Sequence, residues 1–171
     1  LGCGKRRIPG FINVDLAKYK HVHYRRPVSD LRPFKNNSVD LIYASHVLEY
    51  FPLRQVSQVL AEWKRVLKPS GMLKLAVPDF ENLAEAYFVS GNVLDVQGPL
   101  YGFFEIMSEG KNLTLNHKVI YDFTLLKKVL EENGFGRVRR YHWKDFLPES
   151  QEDHSMAYLP SKNYEGGLLL S

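Results

Sequence analysis

Two glycines and an aspartate near the start of the sequence have the types and the spacing of a ligand-binding loop. In "LGCGKRRIPGFINVDL", Gly2 comes directly after an apolar residue, Leu1, and Gly4 follows two positions later. Asp15 ends an apolar run eleven residues after Gly4. Glycines beyond a buried strand let the backbone approach a ligand that a Cβ atom would repel. A carboxylate at the end of the next strand can accept hydrogen bonds from two ribose hydroxyls. Together, the two features predict a site for an adenosine-containing cofactor.

The spacing also distinguishes between classes of cofactor. A dinucleotide fingerprint needs a third glycine that opens a helix, and an acidic residue about 20 residues further on. Here Arg7 occupies the place of the third glycine, and Pro9 and Gly10 interrupt any helix before Asp15. Because no helix N-terminus is left to hold a pyrophosphate, the spacing favours a cofactor without phosphates. A nicotinamide-dependent oxidoreductase is an alternative that this spacing disfavours.

Three polar segments that contain histidine could supply an acid–base group. The segment "SHVLEY" contains His46 and Glu49, "NHKVIYDF" contains His117 and Asp122, and "EDHS" contains His154. Histidine and carboxylate side chains can accept a proton from a reacting hydroxyl or amine. We predict His117, His154 and Asp122 as catalytic residues, with surface or capping roles as the alternative for each. Glu49 would also suit the start of a helix, where it would meet the helix dipole. No element has histidines or carboxylates at a metal-ligand spacing, so no metal is predicted.

The composition is that of one globular domain. The 171 residues are 44% hydrophobic and 25% charged, and no apolar run approaches the roughly 20 residues that span a bilayer. Cys3 is the only cysteine, which excludes an internal disulfide and fits a reducing, cytoplasmic setting. For Cys3 itself, a small apolar side chain at a strand end is favoured over a reactive thiol. The net charge of +4 comes from short, scattered basic clusters, which favour a solvated surface over nucleic-acid binding.

The chemistry-bearing residues follow elements that alternate between strand and helix. Strands are predicted in "GFINVDL", in "HVHYRRPVSD" up to Asp30, in Val39–Ala44, in "MLKLAVPD", in "RVRRYHW" and in "GGLLLS". Helices are predicted in "LRQVSQVLAEWKRVL", "FENLAEAYF" and "FTLLKKVLEENGF". Such alternation indicates an α/β domain with a mainly parallel sheet, which binds ligands at the carboxyl ends of its strands.

Helix ends and one irregular stretch complete this outline. Pro69 and Gly71 are predicted to end the first long helix, and Thr124 to cap the last one, with Gly134 as its stop. The stretch 89–119 carries glycines and mixed periodicity, and we interpret it as an insertion with one short helix around Tyr101–Met107. Because it follows a strand end, it would cover the ligand side of the sheet and place His117 toward the substrate.

Several motifs, in this order, resemble those of a known family. "LGCG", "NVDL", "SDLRPF", "NNSVDLIYASHVLEYF", "WKRVLKPSGMLKLAVPD" and "YDFTLLKKVLEENGF" are similar to the class I S-adenosylmethionine-dependent methyltransferases, and most to the type 11 group. The resemblance implies a Rossmann-like α/β fold with helices on both faces of a seven-stranded, mostly parallel sheet. Its strand order would be 3-2-1-4-5-7-6, with the seventh strand antiparallel and the first and last strands truncated. A single domain, 1–171, would then contain the insertion 89–119 as a lid over the acceptor.

The resemblance also implies a set of cofactor contacts. The glycine loop would line the methionine and sugar parts of the cofactor, and Asp15 would bind the ribose hydroxyls. Asp30 and the Leu31 backbone would lie at the adenine, and Ser45 and His46 would lie beside the sulfonium. The full set is Leu1, Gly2, Gly4, Asp15, Asp30, Leu31, Ser45 and His46. The chain departs from the family pattern in two features, because it lacks the third glycine and has no room for a full helix before the acidic strand.

The resemblance implies S-adenosylmethionine as the cofactor and methyl transfer as the reaction. We expect a small-molecule acceptor, with a sugar or glycan precursor suggested by family association alone. A non-catalytic S-adenosylmethionine-binding module, or a subunit of a larger complex, is the alternative. RNA methylation would rest only on the basic clusters, and the oligomeric state is not predicted.

Overall fold

The structure is a computed structural model that describes residues 1–108, 111–141, 158–159 and 168–169. Its strands are β1 Val14–Asp15, β2 Tyr24–Arg25, β3 Val39–Ser45, β4 Leu67–Ala76, β5 Phe104–Ser108, β6 Lys111–Leu115, β7 Tyr158–Leu159 and β8 Leu168–Leu169. Its α-helices are α1 Leu53–Val66, α2 Phe80–Ser90, α3 Leu94–Tyr101 and α4 Phe123–Glu132, and a 3₁₀ turn spans Leu48–Tyr50. Among these residues, no helix combines the length and the apolar character needed to cross a membrane.

Two parallel strand pairs are joined through the first residues of the chain. β1 pairs with β2, and β3 pairs with β4, both in parallel. The Leu1 nitrogen donates to the Tyr43 carbonyl at 2.7 Å, and the Gly2 amide donates to the Val14 carbonyl at 2.8 Å. Residues 1–2 therefore lie between β1 and β3, which brings the glycine loop to the middle of the strand array. The described strands form four two-stranded sheets and do not give a seven-strand order, so the order 3-2-1-4-5-7-6 stays a prediction.

Helix α1 supplies much of the core, as its apolar periodicity predicts. Its inward face consists of five buried residues: Val56, Val59, Leu60, Trp63 and Val66. Trp63 is fully buried and donates its indole N–H to the Val28 carbonyl at 2.8 Å, so its one polar atom is satisfied. The predicted helix end at Pro69 and Gly71 is wrong, because α1 ends at Val66 and these two residues already belong to β4.

The short first crossover contains no helix. Residues 5–13 run through turns, with Ile8 buried against the domain and Gly10 in the left-handed region at φ +80°. The next connection is also a loop, which His23 secures because its Nδ1 accepts from the Asn13 amide at 2.9 Å. Both predicted strands in this region are reduced to two residues each, β1 and β2.

The stretch 89–119 differs from its sequence-based prediction. Where a helix was predicted at Tyr101–Met107, α3 ends at Tyr101 and β5 forms an antiparallel hairpin with β6. Gly102 adopts φ +49°, a conformation that ends a helix and turns the chain toward the hairpin. The predicted cap of α4 is also wrong, because Asp122 rather than Thr124 caps it, accepting from the Leu125 amide at 2.6 Å.

The last predicted strands are only partly described. Residues 137–141 are not in a strand, and the remainder of "RVRRYHW" lies outside the described residues. Gly134, at φ +79°, follows the end of α4 as predicted. The apolar segment near residue 168 does form a strand, β8, which pairs with β7.

Candidate functional site

The glycine loop leaves open space beside Gly4. Gly2 and Gly4 have φ values of +63° and +55°, in the left-handed region that glycine adopts at no steric cost. A Cβ atom on Gly2 would overlap the side chain of Val47, so this glycine is needed for close packing against the end of β3. A Cβ atom on Gly4 would meet no protein atom within 4 Å. The backbone at Gly4 therefore borders a space in which a ligand could lie.

The Asp15 carboxylate closes the glycine loop by accepting two backbone hydrogen bonds. Its Oδ2 accepts from the Gly4 amide at 2.8 Å and its Oδ1 from the Ala17 amide at 2.8 Å. The residue is only 8% exposed. A carboxylate offers about four acceptor sites, so each oxygen keeps capacity for a ligand hydroxyl. Gly4 thus lies beside open space and donates to Asp15, and the predicted contact of Asp15 with a ribose stays a prediction.

Cys3, between the two glycines, has the character of a protonated thiol. Its side chain is partly buried. Burial, and then the nearby negative charge of Asp15, raise the pKa of Cys3 to about 11. A thiolate is the nucleophilic form of cysteine, so this environment supports a packing role rather than a reactive one.

The residues predicted to contact adenine have protein partners of their own. Asp30 accepts from Arg26 at 2.9 Å and from Arg32 at 2.8 Å. The hydrogen bond from Arg32 is the main reason that the pKa of Asp30 falls to about 2. The Leu31 amide donates to the Glu62 carboxylate at 2.7 Å. The adenine contacts of Asp30 and Leu31 therefore stay a prediction, in which a ligand would share these groups.

Ser45 and His46 lie at the same sheet edge as the glycine loop. Ser45 is the last residue of β3, and His46 follows it with φ +52°. The His46 amide donates to the Ala76 carbonyl at 2.9 Å, at the end of β4. A non-glycine residue held in this region costs of the order of 1–3 kcal/mol, and such strain clusters at functional sites. Their contacts with the cofactor stay a prediction.

A buried carboxylate lies between two of the histidines. Glu49 is only 1% exposed, although it lies just past the end of β3. Its Oε1 is 3.1 Å from His46 Nδ1 and 3.8 Å from His117 Nε2. Sequence reasoning named Glu49 as an acid–base candidate beside His46, with a helix-start role as the alternative, and did not predict its contact with His117. The signal that could have identified the pair is the i, i+3 spacing of His46 and Glu49, since residues three apart face each other on a helical turn.

Two tyrosines complete the surroundings of this carboxylate. The Tyr50 ring packs edge-on against the His117 imidazole, with 4.8 Å between ring centroids. Within the described part of the chain, Glu49 Oε2 and the Tyr121 hydroxyl are buried polar atoms without a hydrogen-bond partner. Burial, and then the charge of Glu49, raise the pKa values of Tyr50 and Tyr121 to about 12. Both phenols therefore remain protonated at neutral pH.

The base of the predicted lid is fastened to the same carboxylate residue. The His117 amide donates to the Tyr101 carbonyl at 2.8 Å, and the Lys118 amide donates to the Glu49 carbonyl at 2.7 Å. A Cβ atom on Gly102 would overlap the His117 imidazole, so this glycine makes room for the ring. On a further side, His117 borders a narrow, mostly apolar cleft lined by Pro78, Leu83, Pro99, Leu100 and Ile120.

The structure thus brings together only part of the predicted catalytic set. His117 and His46 meet at Glu49, whereas Asp122 caps α4 and His154 lies outside the described residues. The catalytic roles of Asp122 and His154 stay predictions. Across the described ranges, no group of three or more histidine, cysteine or acidic residues is arranged to hold a metal ion.

Comparison with known proteins gives one family match and a distant structural likeness. A family model described as a methyltransferase domain matches residues 9–75, which is less than half of the chain. The crystal structure of a SAM-dependent methyltransferase from Archaeoglobus fulgidus is similar at 17% sequence identity and a TM-score of 0.46. The likeness covers 70% of this chain and 44% of the archaeal one, so the chain spans less than half of that protein's length. No curated protein matches the chain.

Proposed function

We propose that the protein is an S-adenosylmethionine-dependent methyltransferase that acts on a small molecule. The proposal is supported by the motifs and by the match of residues 9–75 to a family model of a methyltransferase domain. The observation that carries this proposal is the open space beside Gly4, next to a carboxylate that is bonded to the same loop. The sulfonium of the cofactor supplies an already activated methyl group. The protein's contribution is then mainly to align donor and acceptor at near-attack distance.

In this proposal, the acceptor is a hydroxyl or an amine that loses a proton, and a sugar or glycan precursor is the class to test first. His117 supports it, because an imidazole can take up a proton near neutral pH and this one lies where the lid returns to the sheet edge. The hairpin β5–β6 and helix α3, in the insertion 89–119, would form the cover over the acceptor. A single domain over 1–171 and a cytoplasmic location belong to the same proposal.

Cofactor binding can be tested with a matched pair of glycine variants. Gly4 and Gly10 both have positive φ, and at both a Cβ atom would meet no protein atom within 4 Å. Alanine therefore costs a similar amount of backbone strain at each position, about 1–2 kcal/mol. Titration calorimetry with S-adenosylhomocysteine should show binding to the parent and to Gly10→Ala, and at least about tenfold weaker binding to Gly4→Ala. A parent protein that binds no S-adenosylhomocysteine would refute the proposal.

Methyl transfer needs a second experiment. Formation of S-adenosylhomocysteine should be followed over a panel of free sugars, nucleotide sugars and glycan precursors. With an accepted substrate, His117→Gln should lower kcat by about 100-fold or more while the affinity for S-adenosylmethionine stays within about twofold. A parent that binds the cofactor and methylates nothing in the panel would favour the alternative, a non-catalytic binding module.

A further inference from the structure

One carboxylate oxygen serves both histidines of the candidate site. Glu49 Oε1 lies 3.1 Å from His46 Nδ1 and 3.8 Å from His117 Nε2. The first distance is that of a hydrogen bond, and the second is longer than one. Catalytic hydrogen bonds are often long without substrate and shorten when it binds. A small movement of the lid base would bring His117 within bonding distance of the same oxygen.

The chemistry of the carboxylate determines where the imidazole protons are. An ionised carboxylate only accepts hydrogen bonds, so the ring nitrogen that faces it must carry a proton. His46 is then protonated at Nδ1, and the neutral ring has no proton at Nε2. In His117, the nitrogen facing Glu49 is Nε2, which leaves Nδ1 as the nitrogen that can accept a proton. The identity of the nitrogen that faces the carboxylate thus sets a different tautomer for each histidine.

Two features show that this arrangement is held in place by the backbone. His46 is kept at φ +52°, and a residue remains in this strained region only where its surroundings fix it. The carbonyl of Glu49 accepts from the Lys118 and Val119 amides, at 2.7 and 3.3 Å, which binds the segment after His117 to the carboxylate residue. The orientation of His117 and the position of the lid base therefore depend on the same residue.

We propose that Glu49 is the positioning residue of the acceptor site: it fixes His46 as the Nδ1–H tautomer and directs Nε2–H of His117 toward itself. The part of this inference that concerns catalysis rests on the proposed function. There, the proton of the acceptor hydroxyl or amine moves to Nδ1 of His117, and the Glu49 carboxylate balances the charge of the imidazolium that results. The groups that face the carboxylate are His46, His117, Tyr50 and Tyr121.

Nitrogen-15 NMR of ring-labelled histidines tests the tautomers without any assay of activity. His46→Gln and His117→Gln assign the two signals among the six histidines. The parent should show His46 protonated at Nδ1 and His117 at Nε2. Glu49→Leu, which has no acceptor, should convert His46 to the Nε2–H form, whereas Glu49→Gln should keep it, because the amide oxygen still accepts. Glu131→Gln, an exposed carboxylate on α4, should change neither signal.

Glu49→Leu should lower the free energy of unfolding, because it removes one partner of a buried polar group and leaves His46 and His117 in place. If Glu49→Leu does not fold, the parent spectrum and Glu49→Gln still decide the question. A parent with His46 in the Nε2–H form would overturn the inference, as would a tautomer of His46 that does not change in a folded Glu49→Leu protein.

The kinetic measurement separates this inference from the proposed function. With an accepted substrate, Glu49→Gln should lower kcat by roughly tenfold or more, since orientation is kept and charge is lost, and Glu49→Leu should lower it further. The affinity for S-adenosylhomocysteine should stay within about twofold in Glu49→Gln, which keeps the orientation of both histidines. The expected tautomers in a parent that binds no cofactor would support the positioning by Glu49 and refute the methyltransferase proposal. An unchanged kcat in Glu49→Leu would refute the catalytic part of the inference.

Discussion

Replacing Asp15 by alanine should have two separable effects, because its carboxylate closes the glycine loop and is also the proposed ligand of the ribose. In the structure, one oxygen accepts from Gly4 and the other from Ala17, each at 2.8 Å. With only 8% of the residue exposed, water has little access to replace these bonds. The substitution leaves two backbone amides without their acceptor, and it also removes the proposed ligand of the ribose hydroxyls.

The size of each effect follows from the number of bonds lost. An unsatisfied buried N–H group costs about 1–3 kcal/mol, so two of them should lower the free energy of unfolding by roughly 2–6 kcal/mol. Water reaching the loop would bring the loss toward the lower end of this range. The lost ribose contacts should weaken cofactor binding by about tenfold or more, which corresponds to about 1.4 kcal/mol.

The two effects can be measured on the same variant. Urea unfolding gives the change in stability, and calorimetry with S-adenosylhomocysteine, under conditions where the variant is folded, gives the change in affinity. Asp40→Ala is a suitable control, because the Asp40 side chain is 80% exposed and its ion pair with Lys68 should contribute no more than about 1 kcal/mol. An Asp15→Ala protein as stable as the parent would show that the two bonds do not hold the loop. An unchanged affinity would place the ribose elsewhere.

Three further predictions follow from the same structure. The pKa of Asp30 is lowered from 3.8 to about 2, so the stabilising effect of its ion pairs is complete above pH 3.8 and is lost as the pH falls toward 2. Asp30→Asn should therefore reduce the pH dependence of stability between pH 2 and 3.8, as followed by circular dichroism, and an unaltered profile would contradict this. Gly102→Ala should lower the melting temperature and slow methyl transfer by displacing His117, whereas Gly98→Ala, where a Cβ atom meets nothing, should do neither. The pKa of Cys3 is about 11, so at pH 7.5 it should react with iodoacetamide roughly 100-fold more slowly than a thiol with the ordinary pKa of 9.0. Labelling at the ordinary rate would show that the pKa of Cys3 is not raised.

Local patterns predicted those features of the fold that depend on nearest neighbours along the chain. The apolar spacing in α1 identified the buried face correctly, because one turn of helix determines which side chains share a side. The same kind of pattern failed at Tyr101–Met107, where a hairpin forms instead of a helix. That outcome depends on Gly102 turning the chain against His117, fifteen residues later, and periodicity carries no information on such a contact.

The cofactor side of the site was more accessible to sequence reasoning than the acceptor side. Gly4 and Asp15 were expected to border the same ligand, because both follow strands whose ends share one edge of the sheet, and the structure joins the two residues by a hydrogen bond. Asp122 and Thr124 show the limit of this reasoning, since either residue type can cap a helix, and the backbone geometry at the start of α4 selects Asp122.

The sequence by itself determined that the glycine loop and the acidic strand end would lie at one edge of the sheet, since the order of the elements and the residue types suffice for that. Only the tertiary structure decided which acid–base groups meet. Glu49 and His117 are separated by 68 positions in the sequence. They come together because the backbone amides of residues 118–119 donate to the Glu49 carbonyl, and because Tyr121 forms a parallel β-bridge with Asp79. Such pairing depends on the packing of the whole domain, which no short segment of sequence encodes.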